Sequence, residues 1–244
     1  MFFFGKSDIG KRRSTNQDSF NITSLPDGSF LCTVCDGMGG ANGGNIASEL
    51  ASGVYADYVQ EHIKDATDNR PELLYRAVAE ANTAVFEKAA SDEALNGMGT
   101  TLVSALIDKN GDTTVINVGD SRMYYLENGN LTQITRDHSY VQHLVDIGQI
   151  TVKEAENASI KNIIIRSVGN EKKANPDLFT LKLAPDSYIL LCSDGLTNCL
   201  DNDTIVKNIS ASTKEELASC VDNLINLANN AGGPDNITVI LGKI

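Results

Sequence analysis

Apolar residues recur along the chain at two different spacings, and the spacing sorts most of it into helices and strands. Over residues 44–63, Ile46, Leu50, Val54 and Tyr58 fall on one helical stripe; over 71–90, Leu74, Val78, Ala81 and Val85 fall on another, with Pro71 suited to its first turn. A third helix is predicted over 214–229, where Ser212 and Glu215 have capping-box spacing and Leu217, Val221, Leu224 and Ala228 share a face. Short β-branched runs at 30–34, 101–107, 113–118, 122–126, 188–192 and 237–241 predict strands, some joined by hairpin turns such as DKNGD (108–112) and ENGN (127–130). The polar stretch 139–161 reads as an insertion, with Thr151 and Glu154 spaced to cap a short helix.

Strands come in neighbouring pairs and helices collect in two places, which favours antiparallel sheets covered by helices over a parallel sheet with alternating helices. No internal repeat or Pro-rich linker divides the 244 residues, so one domain over 1–244 is expected. Hydrophobic residues make up 41% and charged residues 21%, the balance of a folded, water-soluble protein. No apolar run is long enough to span a bilayer, and MFFFGKSDIGKRR lacks the pattern of a secretory signal, so a cytoplasmic location with no membrane partner is expected. The net charge of -12 disfavours nucleic acid, whose phosphates need a basic face. Five irregularly spaced cysteines make no disulfide framework; Cys32 and Cys35, three apart on a strand, point to opposite faces and read as small buried hydrophobes.

Charge enters the picture at three turns. FLCTVCDGMGG (30–40), INVGDSR (116–122) and YILLCSDGL (188–196) each carry an apolar run to a sudden stop at an aspartate beside glycine: Asp36, Asp120 and Asp194. Asp18 in STNQDSF and Asp235 in GGPDNIT sit comparably beside predicted strands. Five acids at one sheet edge would repel one another without cations, and carboxylates, a backbone carbonyl and water are hard ligands suited to Mg²⁺ or Mn²⁺. Arg13 either holds an anion near these acids with its planar fork or belongs to a solvated basic turn with Lys11 and Arg12. His62 reads as a solvated helix residue, and His138 in TRDHS as a loop residue or a member of the site.

In order, SDIGKRRSTNQDSF, VCDGMGG, GMGTTL, NVGDSR, TRDHS, RSVG, CSDGL and GPDNIT resemble the bacterial branch of the metal-dependent serine/threonine protein phosphatases, the type 2C family, from about Ser7 to Leu241. The resemblance implies an α+β fold, a four-layer αββα sandwich of two antiparallel sheets flanked by helices, with a flap insertion at about 139–165. It also implies two core Mn²⁺ or Mg²⁺ ions and a third, weaker one. Asp36 would bridge the core pair, Gly37 would give its carbonyl to one ion, Asp194 and Asp235 would hold the other, and Asp120 would share the third with Asp194. Asp18 would orient water and Arg13 would hold the substrate phosphate, while a hydroxide bridging the metals attacks phosphorus. The implied substrates are phosphoserine and phosphothreonine in proteins, the expected setting is opposition to a bacterial Ser/Thr kinase, and the chain is expected to act as a monomer. Two other readings stand beside it: a catalytically weak module that binds phosphoproteins or a partner, and a phosphatase acting on small phosphoesters. Two positions depart from relatives: Gln17 stands where some carry an acid, and Met38 where some carry a histidine proposed as general acid. The flap charges Lys153, Glu154, Glu156 and Lys161 name no particular phosphoprotein.

Overall fold

Strand β3 (Phe30–Met38) shows how the layers arise, because its alternate residues are buried on both sides. Leu31 and Cys35 pack under helices, while Cys32 and Val34 pack toward a second sheet. The two cysteines therefore face opposite ways, as their spacing predicts, and burial pushes both thiols well up. The computed structural model describes residues 1–66, 69–156, 158, 160 and 163–244.

One sheet runs in the order β1 (Phe2–Asp8), β11 (Ile237–Lys243), β10 (Tyr188–Cys192), β7 (Arg122–Glu127), β8 (Asn130–Gln133). The other runs β2 (Asp18–Ser24), β3, β5 (Leu102–Ile107), β6 (Asp112–Val118), β9 (Asp177–Lys182), with the short β4 (Gly99–Thr100) also paired to β3. Every pair is antiparallel. Phe3, Val103, Val115, Met123, Leu191 and Ile240 fill the space between the sheets. Helices α1 (Gly40–His62) and α2 (Arg70–Ser91) cover the second sheet, and α6 (Asn202–Lys207) and α7 (Lys214–Asn230) cover the first. The result is the expected four layers.

The helices refine the sequence reading in two places. On α1 the fully buried face is Ala47, Ala51, Tyr55 and Val59, one residue on from the predicted stripe; Ile46, Leu50, Val54 and Tyr58 are partly buried against the same core. Small residues let α1 lie close to the sheet, and the larger neighbours fill its flanks. On α7 the capping box is Thr213 with Glu216, not Ser212 with Glu215; Ser212 instead donates its N–H to Glu216 at 2.6 Å. The insertion forms α3 (Tyr140–Asp146) and α4 (Val152–Glu156), the latter opened by Thr151 and Glu154 in reciprocal hydrogen bonds as predicted. Its base is pinned: Tyr140 N–H donates to Ile163 O and Ile165 N–H to His138 O, both at 2.8 Å. Lys161 lies outside the described residues. Among the described residues, no helix is long and apolar enough to cross a membrane.

Candidate active site

The five acids arrive at one place from both sheets. Asp18 opens β2 and lies directly opposite Asp36 in the β2–β3 register. Asp120 occupies the tight turn between β6 and β7, Asp194 opens the short α5 (Asp194–Thr197) after β10, and Asp235 immediately precedes Asn236 and β11. Arg13, Asp36, Gly37, Asp120, Asp194 and Asp235 line a single cleft of about 430 Å³, with Gln17 and Met38 also on its wall. Asp18 sits behind Asp36. Among the described residues, no three Asp, Glu, His or Cys side chains make a ready-made chelating group: the acids face one cleft without closing on one point.

Glycine at position 37 is required by crowding. A Cβ there would fall 2.0 Å from Gly44 O and 2.6 Å from Gln17 O, so only a bare backbone fits between the start of α1 and the segment of Gln17. Gly37 N–H donates to Gln17 O at 3.1 Å, which ties the β2 start to the acidic turn.

The electrostatics are those of negative charges taken out of water. Burial, then the neighbouring charges of Asp18, Asp194, Asp120 and Asp235, raise Asp36 well above the usual carboxylate range. Burial pushes Asp18 up to about 7 even though the hydroxyls of Thr238 and Ser193 donate to it, and burial with repulsion from Asp194 pushes Asp120 up to about 8. Asp18 and Asp120 each keep a buried Oδ1 with no hydrogen-bond partner among the described residues. Donors of this kind, all oxygen and short of positive charge, fit hard divalent cations. Arg13 is half-exposed and paired through Nη2 to Asp235 Oδ2 at 2.8 Å, which seats it among the acids.

A shell of hydroxyls and amides that the sequence reading did not single out holds these acids still. Thr101 Oγ1 accepts the Asp36 N–H at 2.9 Å while Asp36 O accepts from Thr101 N–H at 2.8 Å and from Thr100 Oγ1 at 2.9 Å. Ser193 Oγ and Thr238 Oγ1 donate to Asp18 Oδ2 at 2.8 and 2.6 Å. Asn236 accepts from Gln17 N–H at 2.9 Å and donates to Ile9 O and Thr15 O at 2.9 and 3.0 Å, clamping the loop that carries Arg13. Single serines and threonines carry no periodic signal; only their place inside motifs such as GMGTTL and GPDNIT marks them.

His138 proves to be a structural loop residue. It is buried, its Nδ1 accepts the Gly119 N–H at 3.1 Å and its Nε2 lies 3.1 Å from Asp177 Oδ2, so the ring braces the turn that presents Asp120. Burial lowers this imidazole's pKa from its ordinary value, against the opposing pull of Asp177. His62 stacks on Tyr58 at 4.2 Å between ring centroids, away from the cleft.

The family model described as Protein phosphatase 2C matches residues 5–241. The serine/threonine phosphatase stp of Listeria welshimeri serovar 6b is 39% identical over 237 residues, 97% of this chain and 93% of that protein. Among solved structures, the Mycobacterium tuberculosis serine/threonine phosphatase PstP/Ppp superposes with a TM-score of 0.89 at 34% identity, covering 98% of this chain and 97% of that one. The catalytic domain of the serine threonine protein phosphatase PstP in complex with 2 manganese ions gives a TM-score of 0.84 at 34% identity, covering 98% and 96%.

Proposed function

The chain belongs to the protein phosphatase 2C family and is a metal-dependent serine/threonine protein phosphatase, and on that premise we propose how its residues divide the work. Asp36, the Gly37 carbonyl, Asp194 and Asp235 hold a pair of Mn²⁺ or Mg²⁺ ions, and Asp120 with Asp194 holds a third, weaker one. When bound, such ions lower the pKa of water and neutralise charge on a phosphoryl group. The observation that carries this assignment is the meeting of these residues in one small cleft, where the carboxyl groups of Asp36 and Asp120 are raised and Asp120 Oδ1 has no hydrogen-bond partner among the described residues.

The chain's own groups then bind and orient. Arg13 receives the phosphate through its planar guanidinium. Asp18, held at Oδ2 by Ser193 and Thr238 and with no hydrogen-bond partner for Oδ1 among the described residues, orients the attacking water. No side chain is needed as nucleophile, so no phosphorylated enzyme forms. Met38 lines the cleft and has no proton to give, so the departing seryl or threonyl oxygen takes its proton from water. A binding module without turnover would have no use for so many repelling, half-buried acids. We place the enzyme in the cytoplasm as a monomer, one domain with a flap at about 139–165, opposing a Ser/Thr kinase.

The test is release of phosphate from a phosphothreonine peptide by the purified protein with Mn²⁺, followed by chelation. Turnover that stops on chelation and returns with Mn²⁺ or Mg²⁺ supports the assignment. Turnover that survives exhaustive chelation overturns it.

A further inference from the structure

A second cleft, of about 730 Å³, opens from the same acids, since Asp120 and Asp194 line it as well as the catalytic cleft. Its volume is in the range of clefts that take a drug-sized ligand. One wall is the flap, through Val141 and Val145 of α3 and Val152 and Ala155 of α4; the other is the segment 197–203. At its inner end buried Asp120, only 6% exposed, offers an Oδ1 that has no hydrogen-bond partner among the described residues.

The flap wall is unusually apolar for a surface element. Of the nine exposed large hydrophobic residues among the described ones, six lie between Tyr140 and Ile165, and Val152, 63% exposed, is on the cleft itself. Apolar surface gathered at the edge of a site, rather than scattered over the molecule, marks a surface that meets another chain.

Charge then says which chain. Among the described residues the one basic side chain on this cleft is Arg122, and it is already committed: its guanidinium donates to both carboxylate oxygens of Asp137 at 2.7 to 3.1 Å. Asp120 and Asp194 are assigned to cations at the inner end. That leaves Asp201 and Asp203 on the outer wall, both exposed, with Asp201 held in place by accepting the Thr204 N–H at 2.8 Å as the cap of α6. The outer end is therefore a negative mouth, and the cleft runs inward from it to Asp120 and Asp194, which it shares with the catalytic cleft.

We propose that this cleft seats the polypeptide flanking the phosphorylated residue, and that it selects segments whose lysine or arginine reaches Asp201 and Asp203. The proposal rests on the phosphatase reading above and names the substrate class of that site. Exposed charges of this kind discriminate partners more than they add affinity, and salt screens them.

Two phosphothreonine peptides, identical except for lysine or glutamate at the flanking positions, test it through kcat/KM at low and high salt. The lysine peptide should be preferred by roughly 5- to 20-fold at low salt, a preference that shrinks at high salt. In the double variant Asp201→Asn/Asp203→Asn, asparagine keeps the helix cap while the charge is lost, so the preference should fall toward one with turnover of p-nitrophenyl phosphate unchanged. Equal kcat/KM for the two peptides, or a preference that persists in the double variant, overturns the proposal while leaving the phosphatase reading intact. Failure to hydrolyse either peptide with Mn²⁺ present overturns both.

Discussion

Arg13 and Asp235 form an ion pair across the mouth of the acidic cleft, Nη2 to Oδ2 at 2.8 Å, with the arginine half-exposed and the aspartate less so. The nearby charges of Asp36 and Asp194 reinforce the arginine's own, after its hydrogen bond to Asp235. A guanidinium on Asp235 and a divalent cation on Asp235 are competitors for one carboxylate. Whatever occupies Asp235 therefore decides whether Arg13 is free to turn to a phosphate.

Arg13→Ala should accordingly have two opposite effects. The exposed pair is worth up to about 1 kcal/mol, so calorimetric Mn²⁺ affinity should rise, by up to about fivefold. KM for a phosphopeptide should rise by about tenfold or more, because a charged hydrogen bond to phosphate is lost. Weaker Mn²⁺ binding in the variant would show that Arg13 supports the metal site instead of competing with it.

Asp194 and Asp120 should separate when tested in parallel. Asp194→Asn removes a carboxylate assigned to the core ions, so metal stoichiometry and turnover should be lost together. Asp120→Ala should keep two ions by calorimetry while kcat falls by about 10²-fold or more, the usual cost of removing an electrostatic stabiliser. Unchanged turnover in Asp120→Ala would remove Asp120 from the catalytic assignment.

Stability of the chelated protein should fall as pH rises. Asp18 and Asp120 have folded pKa values of about 7 and about 8 against an ordinary 3.8, so the folded state holds protons that the unfolded chain has released. Their favourable contribution is complete below about pH 4 and is lost as pH climbs through 7 to 8. Other carboxylates act in the opposite sense in acid, so the informative quantity is the Tm difference between Mn²⁺-loaded and chelated protein, which should widen between pH 5 and 8 in the range. A difference that is flat or narrows with pH would contradict this electrostatic picture.

The layers were legible in the sequence wherever one strand is buried on both faces. Runs such as 102–107, apolar but for Ser104, and 188–192 are nearly continuous because helices lie on one side and the other sheet on the other. The short β4 and β8 and three longer strands gave no such signal. β2 and β9 lie at sheet edges and are only partly buried, so DSFNITS and DLFTLK mix polar and apolar residues freely. In β1, Phe3 points between the sheets while Phe2 and Phe4 lean on the helical side, which erases the alternation a strand usually shows. The one-residue slip of the α7 cap has a local cause: Ser212 and Thr213 each have a glutamate three residues on, and the helix could begin at either. Of the site, the acids announce themselves through repeated strand ends, and Arg13 through its nearness to Asp18. The bracing groups Thr101, Ser193, Thr238 and His138 acquire their roles only from partners 19 to 220 residues away.

The placement of β11 between β1 and β10 has a consequence for how the enzyme is made. Asn236, at the threshold of that strand, ties down the loop carrying Arg13, and Thr238 within it secures Asp18. Groups 220 to 227 residues apart along the chain thus complete one another. The site is assembled only once β11 has paired between β1 and β10, so activity should return with the final tertiary step of refolding and not with the first secondary structure.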